Sequence, residues 1–221
     1  TLWDEDMNNL SEVKHSLKKE WTHLLSDTQF LIAESERISR IVQSMRGLSI
    51  VKSEKKSHSL NTLLENTVDV MADYASKDAV VIDLKQPEHD VVVSVDRDEF
   101  LQSLTNLIRN SVQAIVSKKQ SSESDSFEGR IEIESSFSDT EVRIKISDNG
   151  CGISKDHQGR LFDSQFTTKD RREGTGLGLN ISRRFLRAVG GDIELMHSEE
   201  AIGASFVMIL PLQKESERMP A

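Results

Sequence analysis

Cysteine, proline and aromatic residues are all scarce in this chain. Its 221 residues include one cysteine, three prolines and 5% Phe, Trp and Tyr. A single cysteine, Cys151, excludes an internal disulfide framework and a multi-cysteine zinc site, and it suits a reducing compartment. No uninterrupted apolar run approaches the ~18 to 20 residues that cross a bilayer, so no membrane contact is expected within these residues. A positive balance is missing too: 37 acidic side chains face 28 basic ones, a net charge of −9 with histidines neutral. Polyanion affinity rests on clustered Lys and Arg, so a nucleic-acid partner is not expected. The chain opens on Thr1 with no charged-then-apolar leader, as expected of a cytoplasmic piece of a longer parent, which membrane anchoring elsewhere would not contradict.

What the chain does have is helical periodicity. From Asn8 to about Lys56 there is no proline and one glycine. Apolar residues recur at Leu10, Val13, Leu17, Trp21 and Leu24, then at Leu31, Ile38, Ile41, Val42, Met45 and Leu48. Between these runs, Leu25 to Thr28 contains Ser26 and Asp27, which can cap a new helix. The spacing predicts a helical hairpin over 1–56. Two amphipathic helices cannot cover both stripes alone, so a homodimer through a four-helix bundle is expected; packing on the chain's own C-terminal domain is the alternative.

Lys52 to Ser59 is polar and suggests a linker. After it, helical spacing returns from Leu60 to about Ser76, followed by strand-like runs at Val80–Leu84 and Val91–Val95. A strong helix is predicted over Phe100–Val116, a polar loop over Ser121–Glu128, and alternating strands over Arg130–Ser135 and Glu141–Ser147. A glycine-punctuated stretch then leads to a helix over Leu179–Val189 and strands around Ile193–His197 and Ala204–Leu210. Helices and antiparallel strands without strict βαβ alternation predict an α+β sandwich, helices on one face of a sheet, over 57–213, with a tail at 214–221.

Four motifs carry chemistry. Asn106 and Asn110 stand four apart on the strong helix, so both amides share a face. Amide oxygens suit Mg²⁺, although such a pair is also common as a solvated or capping feature. Asp148-Asn-Gly-Cys-Gly152 follows a strand. A carboxylate there, with Gly150 and Gly152 admitting close backbone approach, can accept a hydrogen bond from an exocyclic amine such as that of adenine; a tight turn is the plainer alternative. Leu161 to Lys169 holds two phenylalanines and a lysine, followed by Arg171 and Arg172, which suits either a phosphate-covering segment or a solvated loop. Gly174-Thr175-Gly176-Leu177-Gly178 opens a helix, exposing backbone N–H groups and the positive dipole end to an anion. It matches neither the dinucleotide-fold pattern nor a Walker loop.

In this order, the four motifs resemble the N, G1, F and G2 boxes of the histidine kinase catalytic domain, in the GHKL ATP-binding superfamily. The resemblance is close over Ser94 to Leu212 and looser over the rest; LFDSQFTTK followed by GTGLGLNISRR is similar to the nitrogen-regulatory subgroup of sensor kinases. It implies ATP and Mg²⁺ as cofactors, phosphoryl transfer to a histidine, and a response-regulator receiver domain as partner. Asp148 would hold the adenine amine, with Gly150 and Gly152 shaping the pocket. Asn110 would ligate Mg²⁺ with Asn106 one turn earlier, while Gly174, Thr175, Gly176, Leu177, Gly178 and Lys169 would surround the phosphates.

One position departs from the family pattern. The hairpin of this family carries H-[ED]-x-x-N, and the best match here is Glu5-Asp6-Met-Asn-Asn9. Glu5 stands where the acceptor histidine is expected, with Asp6 and Asn9 at the acidic and amide positions. His15 and His23 lack those flanking residues and suit exposed helix positions. Either the acceptor is substituted, or the register is different and the histidine lies upstream of Thr1. Asp6 and Asn9 also match the pair with which such proteins dephosphorylate a receiver. A nucleotide-binding dimeric module without catalysis is the third alternative.

Overall fold

The computed structural model describes residues 54–87, 89–121, 127–164, 166–167 and 176–212, together with Lys18, Glu20, Trp21, Leu24 and Thr28. The chain divides into two compact units, Thr1–Arg46 and Gly47–Ala221. In the first unit the five described residues are helical, and the Thr28 hydroxyl donates to the Leu24 carbonyl at 2.7 Å, one turn back. The candidate caps Ser26 and Asp27 of the expected junction lie outside the described residues. The rest of the hairpin, with Glu5, Asp6 and Asn9, lies outside the described residues.

The second unit is the α+β sandwich that the pattern predicts. Its elements run β1 (Lys56–Ser59), α1 (Leu60–Ser76), β2 (Val80–Lys85), β3 (Val92–Val95), α2 (Arg97–Ser121), β4 (Gly129–Phe137) and β5 (Glu141–Asp148). A single turn α3 (Lys155–Gln158), the helix α4 (Gly178–Ala188), β6 (Asp192–Glu199) and β7 (Gly203–Pro211) complete it. The main sheet has the order β2-β4-β5-β7-β6. Its pairings are antiparallel apart from β2 with β4, which run parallel because α2 and β3 separate them in the chain. Ile131 and Ile133 of β4 and Val142, Ile144 and Ile146 of β5 alternate inward with no measurable exposure. Glu132 and Glu134 between them point away, toward Lys85 and Lys145. α1 packs on β2 and α2, α2 on β4 and β5, and α4 on α2 and β6, so the three longer helices share one face.

The reading of Lys52 to Ser59 as linker needs correction, because Lys56–Ser59 is a strand paired antiparallel with β3 in a small second sheet. Four residues with no apolar alternation give no local signal, and only β3 supplies the hydrogen bonds. The central helix is also longer than its apolar stripe. Asp96 accepts from the Asp98 and Glu99 amides at 3.0 and 3.2 Å, satisfying two of the unpaired first-turn donors and starting the helix at Arg97. Among the described residues no helix is long and apolar enough to cross a membrane.

Candidate nucleotide site

The site is built along α2. One face of this helix buries Leu104, Leu107, Ile108, Val112 and Ile115, and two serines, Ser103 and Ser111, interrupt the apolar set. Ser103 bonds back to the Glu99 carbonyl within the helix. Ser111 instead donates to Oδ2 of Asp148 at 3.0 Å, linking α2 to the end of β5. The Gly150 amide donates to Asp148 Oδ1 at 2.9 Å and the Ala204 amide at 3.4 Å. Burial pushes this carboxyl above its ordinary value of 3.8, against the opposing pull of those three donors and of the Lys118 charge.

This is a carboxylate with acceptor capacity to spare. Oδ1 takes two donors, but Oδ2 takes only the Ser111 hydroxyl, and each oxygen has two lone pairs. A buried ionised carboxyl costs free energy unless its lone pairs are met, so an additional N–H donor is favoured there. An adenine amine is such a donor.

The backbone after Asp148 is held tightly. A Cβ on Gly150 would lie 2.7 Å from the backbone carbon of Ala114, so the bare glycine lets the strand end touch α2. The Cys151 amide then donates to the Ala114 carbonyl at 3.1 Å. Gly152 has φ +71°, and a Cβ there would lie 2.1 Å from the carbonyl oxygen of Glu199, the last residue of β6. Both glycines thus permit close approach by neighbouring backbone. Asn149 closes the turn from the other side, accepting from the Arg130 amide at 2.8 Å and donating to the Glu128 carbonyl at 2.8 Å. Lys118 reaches its carbonyl at 2.7 Å while covering the Phe127 ring at 4.6 Å.

Asn106 lies five residues before Ser111, about 7.5 Å along the helix axis. Its amide donates to the Ser182 hydroxyl at 3.0 Å and toward the Gly178 carbonyl at 3.4 Å, both on α4. A Cβ on Gly178 would rest 3.6 Å from the Asn106 amide carbon, an ordinary contact. α4 begins at Gly178 behind Leu177, which supplies no side-chain cap, and Gly176 takes φ +63° to bring the chain in. First-turn N–H groups at such an end attract an anion, reinforced by the helix dipole. Asn110, half-buried one turn beyond Asn106, offers an amide oxygen on the same stretch of α2, a donor type suited to Mg²⁺.

The segment after α3 is less solvated than a surface loop would be. Phe162 packs on the core, its carbonyl accepts from the Asn180 amide at 2.8 Å, and the Arg183 guanidinium covers its ring at 4.3 Å. Phe166 meets His157 edge-on at 5.6 Å and Arg160 at 4.8 Å. Lys169, Gly174 and Thr175 lie outside the described residues. α2 therefore brings together Asp148, Gly150, Asn110, Asn106 and Gly178. Ser111, Asn149, Lys118 and Ser182 were missed in the sequence. The available signal was a hydroxyl at a position of the α2 stripe where Leu or Ile is otherwise found, and for Asn149 the Asx-Gly turn itself.

Residues 95–214 match the model of the histidine kinase-, DNA gyrase B- and HSP90-like ATPases. The chain belongs to this family. Among curated proteins it is 34% identical to the signal transduction histidine-protein kinase AtoS of Escherichia coli (strain K12), over 85% of this chain and 29% of AtoS. It is 29% identical to the sensor histidine kinase ZraS of the same strain, over 83% of this chain and 37% of ZraS. The chain thus spans about a third of the length of the curated relatives it matches. Among solved structures it resembles the nucleotide-free catalytic domain of histidine kinase ThkA, with 26% identity and a TM-score of 0.60 over 73% of this chain and 99% of that one. It also resembles ThkA in complex with the response regulator TrrA, with 25% identity and a TM-score of 0.64 over 81% of this chain and 48% of that one. The expectation of a sensor histidine kinase core, drawn from the four boxes, is borne out.

Proposed function

We propose that this chain is the ATP-binding kinase core of a two-component sensor, which uses ATP·Mg²⁺ to phosphorylate a histidine and passes the group to a receiver domain of a response regulator. The observation that carries the reading is the course of α2, which joins the under-occupied Asp148 carboxylate to the uncapped start of α4. Bound ATP·Mg²⁺ supplies the γ-phosphoryl group and the metal charge that offsets its negative oxygens. Asp148 accepts the adenine amine, and Ser111 fixes the carboxylate's orientation. Gly150 and Gly152 keep the neighbouring backbone close enough to wall the base. Asn110 offers its amide oxygen to Mg²⁺ and Asn106 secures the first turn of α4. Gly174, Thr175, Gly176, Leu177 and Gly178 present amides to the phosphates, and Lys169 adds charge. Phosphoryl transfer asks chiefly for positioning and neutralisation, which these groups provide.

The domain division at 1–56, 57–213 and 214–221, the homodimer and the cytoplasmic setting belong to the same proposal. Trp21 and Leu24, both on the predicted stripe, are 63% and 59% exposed, as an apolar face awaiting a second copy would be. The ThkA–TrrA complex supports a receiver as partner.

A second reading follows from Glu5-Asp6-Met-Asn-Asn9: a phosphatase of the phosphorylated receiver, with Asp6 and Asn9 orienting the attacking water and Glu5 unable to act as imidazole. Incubation with labelled ATP·Mg²⁺ separates the two. Label on the protein that is lost in acid and stable in base supports the kinase. Unlabelled protein that releases phosphate from a phosphorylated receiver, with Asn9→Ala abolishing release, supports the phosphatase. Absence of both activities leaves nucleotide binding alone.

A further inference from the structure

Arg183 stands on the second turn of α4, five residues beyond Gly178, the last glycine of the fourth motif. Its guanidinium makes a two-pronged pair with Asp192, Nε to Oδ1 at 2.7 Å and Nη2 to Oδ2 at 3.1 Å. Asp192 opens β6 and is fixed in turn by Arg187, at 3.2 and 3.0 Å, and by the Ile193 amide at 2.8 Å. Arg183 and Asp192 are 27% and 24% exposed, so solvent screens this pair less than the other surface pairs of the fold. The far face of the same guanidinium lies over the Phe162 ring, 4.3 Å from its centroid. Asn180, one turn earlier, holds the Phe162 carbonyl.

The pairing with Asp192 saturates one edge of the guanidinium and fixes its plane, and a fixed plane is what stacking on an aromatic ring requires. Lysine has the charge but no plane. α4 therefore grips two parts of the candidate site at once. Gly178 and Ser182 face Asn106 on α2, while Asn180 and Arg183 hold Phe162. We propose that Arg183 is a positioning residue for nucleotide binding: locked by Asp192, it keeps the Leu161–Ser164 segment in register with Asn106 through Phe162. This rests on the ATP reading. It adds that the phosphate half of the site depends on a salt bridge that touches neither nucleotide nor metal.

The test uses Arg183→Gln, Arg183→Lys and Phe162→Leu in the whole chain. Without nucleotide, hydrogen exchange over 161–164 should quicken several-fold in Arg183→Gln while exchange over 97–121 stays as in the parent; unchanged exchange over 161–164 overturns the proposal. With nucleotide, Arg183→Gln should weaken ATP·Mg²⁺ about five- to tenfold and leave adenosine, which lacks phosphates, unaffected. Arg183→Lys should recover only part of the loss, and in a Phe162→Leu background Arg183→Gln should add less than about twofold. Equal weakening of ATP and adenosine, or of neither, overturns the positioning role. Parent protein that binds neither ligand instead refutes the ATP reading, and the exchange experiment still decides whether Arg183 anchors the segment.

Discussion

Two aspartates at strand ends of one sheet have opposite fates. Asp148 closes β5 and Asp192 opens β6. Burial raises both carboxyls, but at Asp148 a hydroxyl, two amides and the more distant Lys118 charge do not outweigh it, and its pKa stays above the ordinary 3.8. At Asp192 the side chains of Arg183 and Arg187 and the Ile193 amide outweigh burial and hold the carboxyl well below that value. The difference is one of stoichiometry. Asp192 faces two guanidinium groups that fill its oxygens, so its charge is consumed in joining α4 to the sheet. Among the described residues Asp148 has no cation in hydrogen-bonding contact, and it retains an open lone pair. A carboxylate held at some cost with acceptor capacity unused is what a ligand site needs, and one fully paired is what a joint needs.

The largest expected contrast comes from removing each charge. Asp148→Asn should weaken ATP by about 10- to 100-fold, because a charged acceptor becomes neutral, while relieving a buried charge and leaving the melting temperature within about 2 °C of the parent. Titration calorimetry and a thermal melt read the two quantities; a large fall in melting temperature with intact affinity would reverse the assignment. Asp192→Ala should do the opposite. It strands two guanidinium groups and should cost about 1–2 kcal/mol of stability, discounted because the pair is partly exposed, visible as a fall of about 2–8 °C in thermal melts.

The smallest effect is the pH dependence. Because its pKa is raised, Asp148 favours the folded state more as pH falls through its folded value, yet loses the charge proposed to hold adenine. Asp192, with a lowered pKa, contributes stability above 3.8 and loses it only as pH falls through its still lower folded value. On acidification ATP affinity should therefore decline a fewfold above pH 3.8, before the contribution of Asp192 to stability is lost. Calorimetric titrations from neutral pH downward check this, and the decline should vanish in Asp148→Asn.

Much of this was legible in the sequence, and where it was not the reasons are physical. The α2 stripe from Phe100 to Ile115 is a local pattern, and every apolar member of it that the structure buries was visible at helical spacing. The beginning of α2 at Arg97 was not read from the stripe, which opens only at Phe100; the start is set by Asp96, which accepts from the first-turn amides of Asp98 and Glu99. β1 was not legible either, because Lys56–Ser59 has no preference of its own and exists through pairing with Val92–Val95. At the site, Asp148 and the asparagines stood out because the four boxes occur in one order. Ser111 and Ser182 did not, since a buried serine has no signature until its partner is known.

By itself the sequence determined the family, the run of helices and strands, and the residue types at the two ends of the candidate site. Those depend on periodicity, glycine spacing and motif order, which are properties of neighbours in the chain. The tertiary structure alone decided which aspartate is paired and which is left open, and that Arg183 joins β6 to Phe162. Whether a carboxylate meets two guanidinium groups or a lone hydroxyl depends on residues 5, 9 or 37 positions away, brought into hydrogen-bonding distance by the fold.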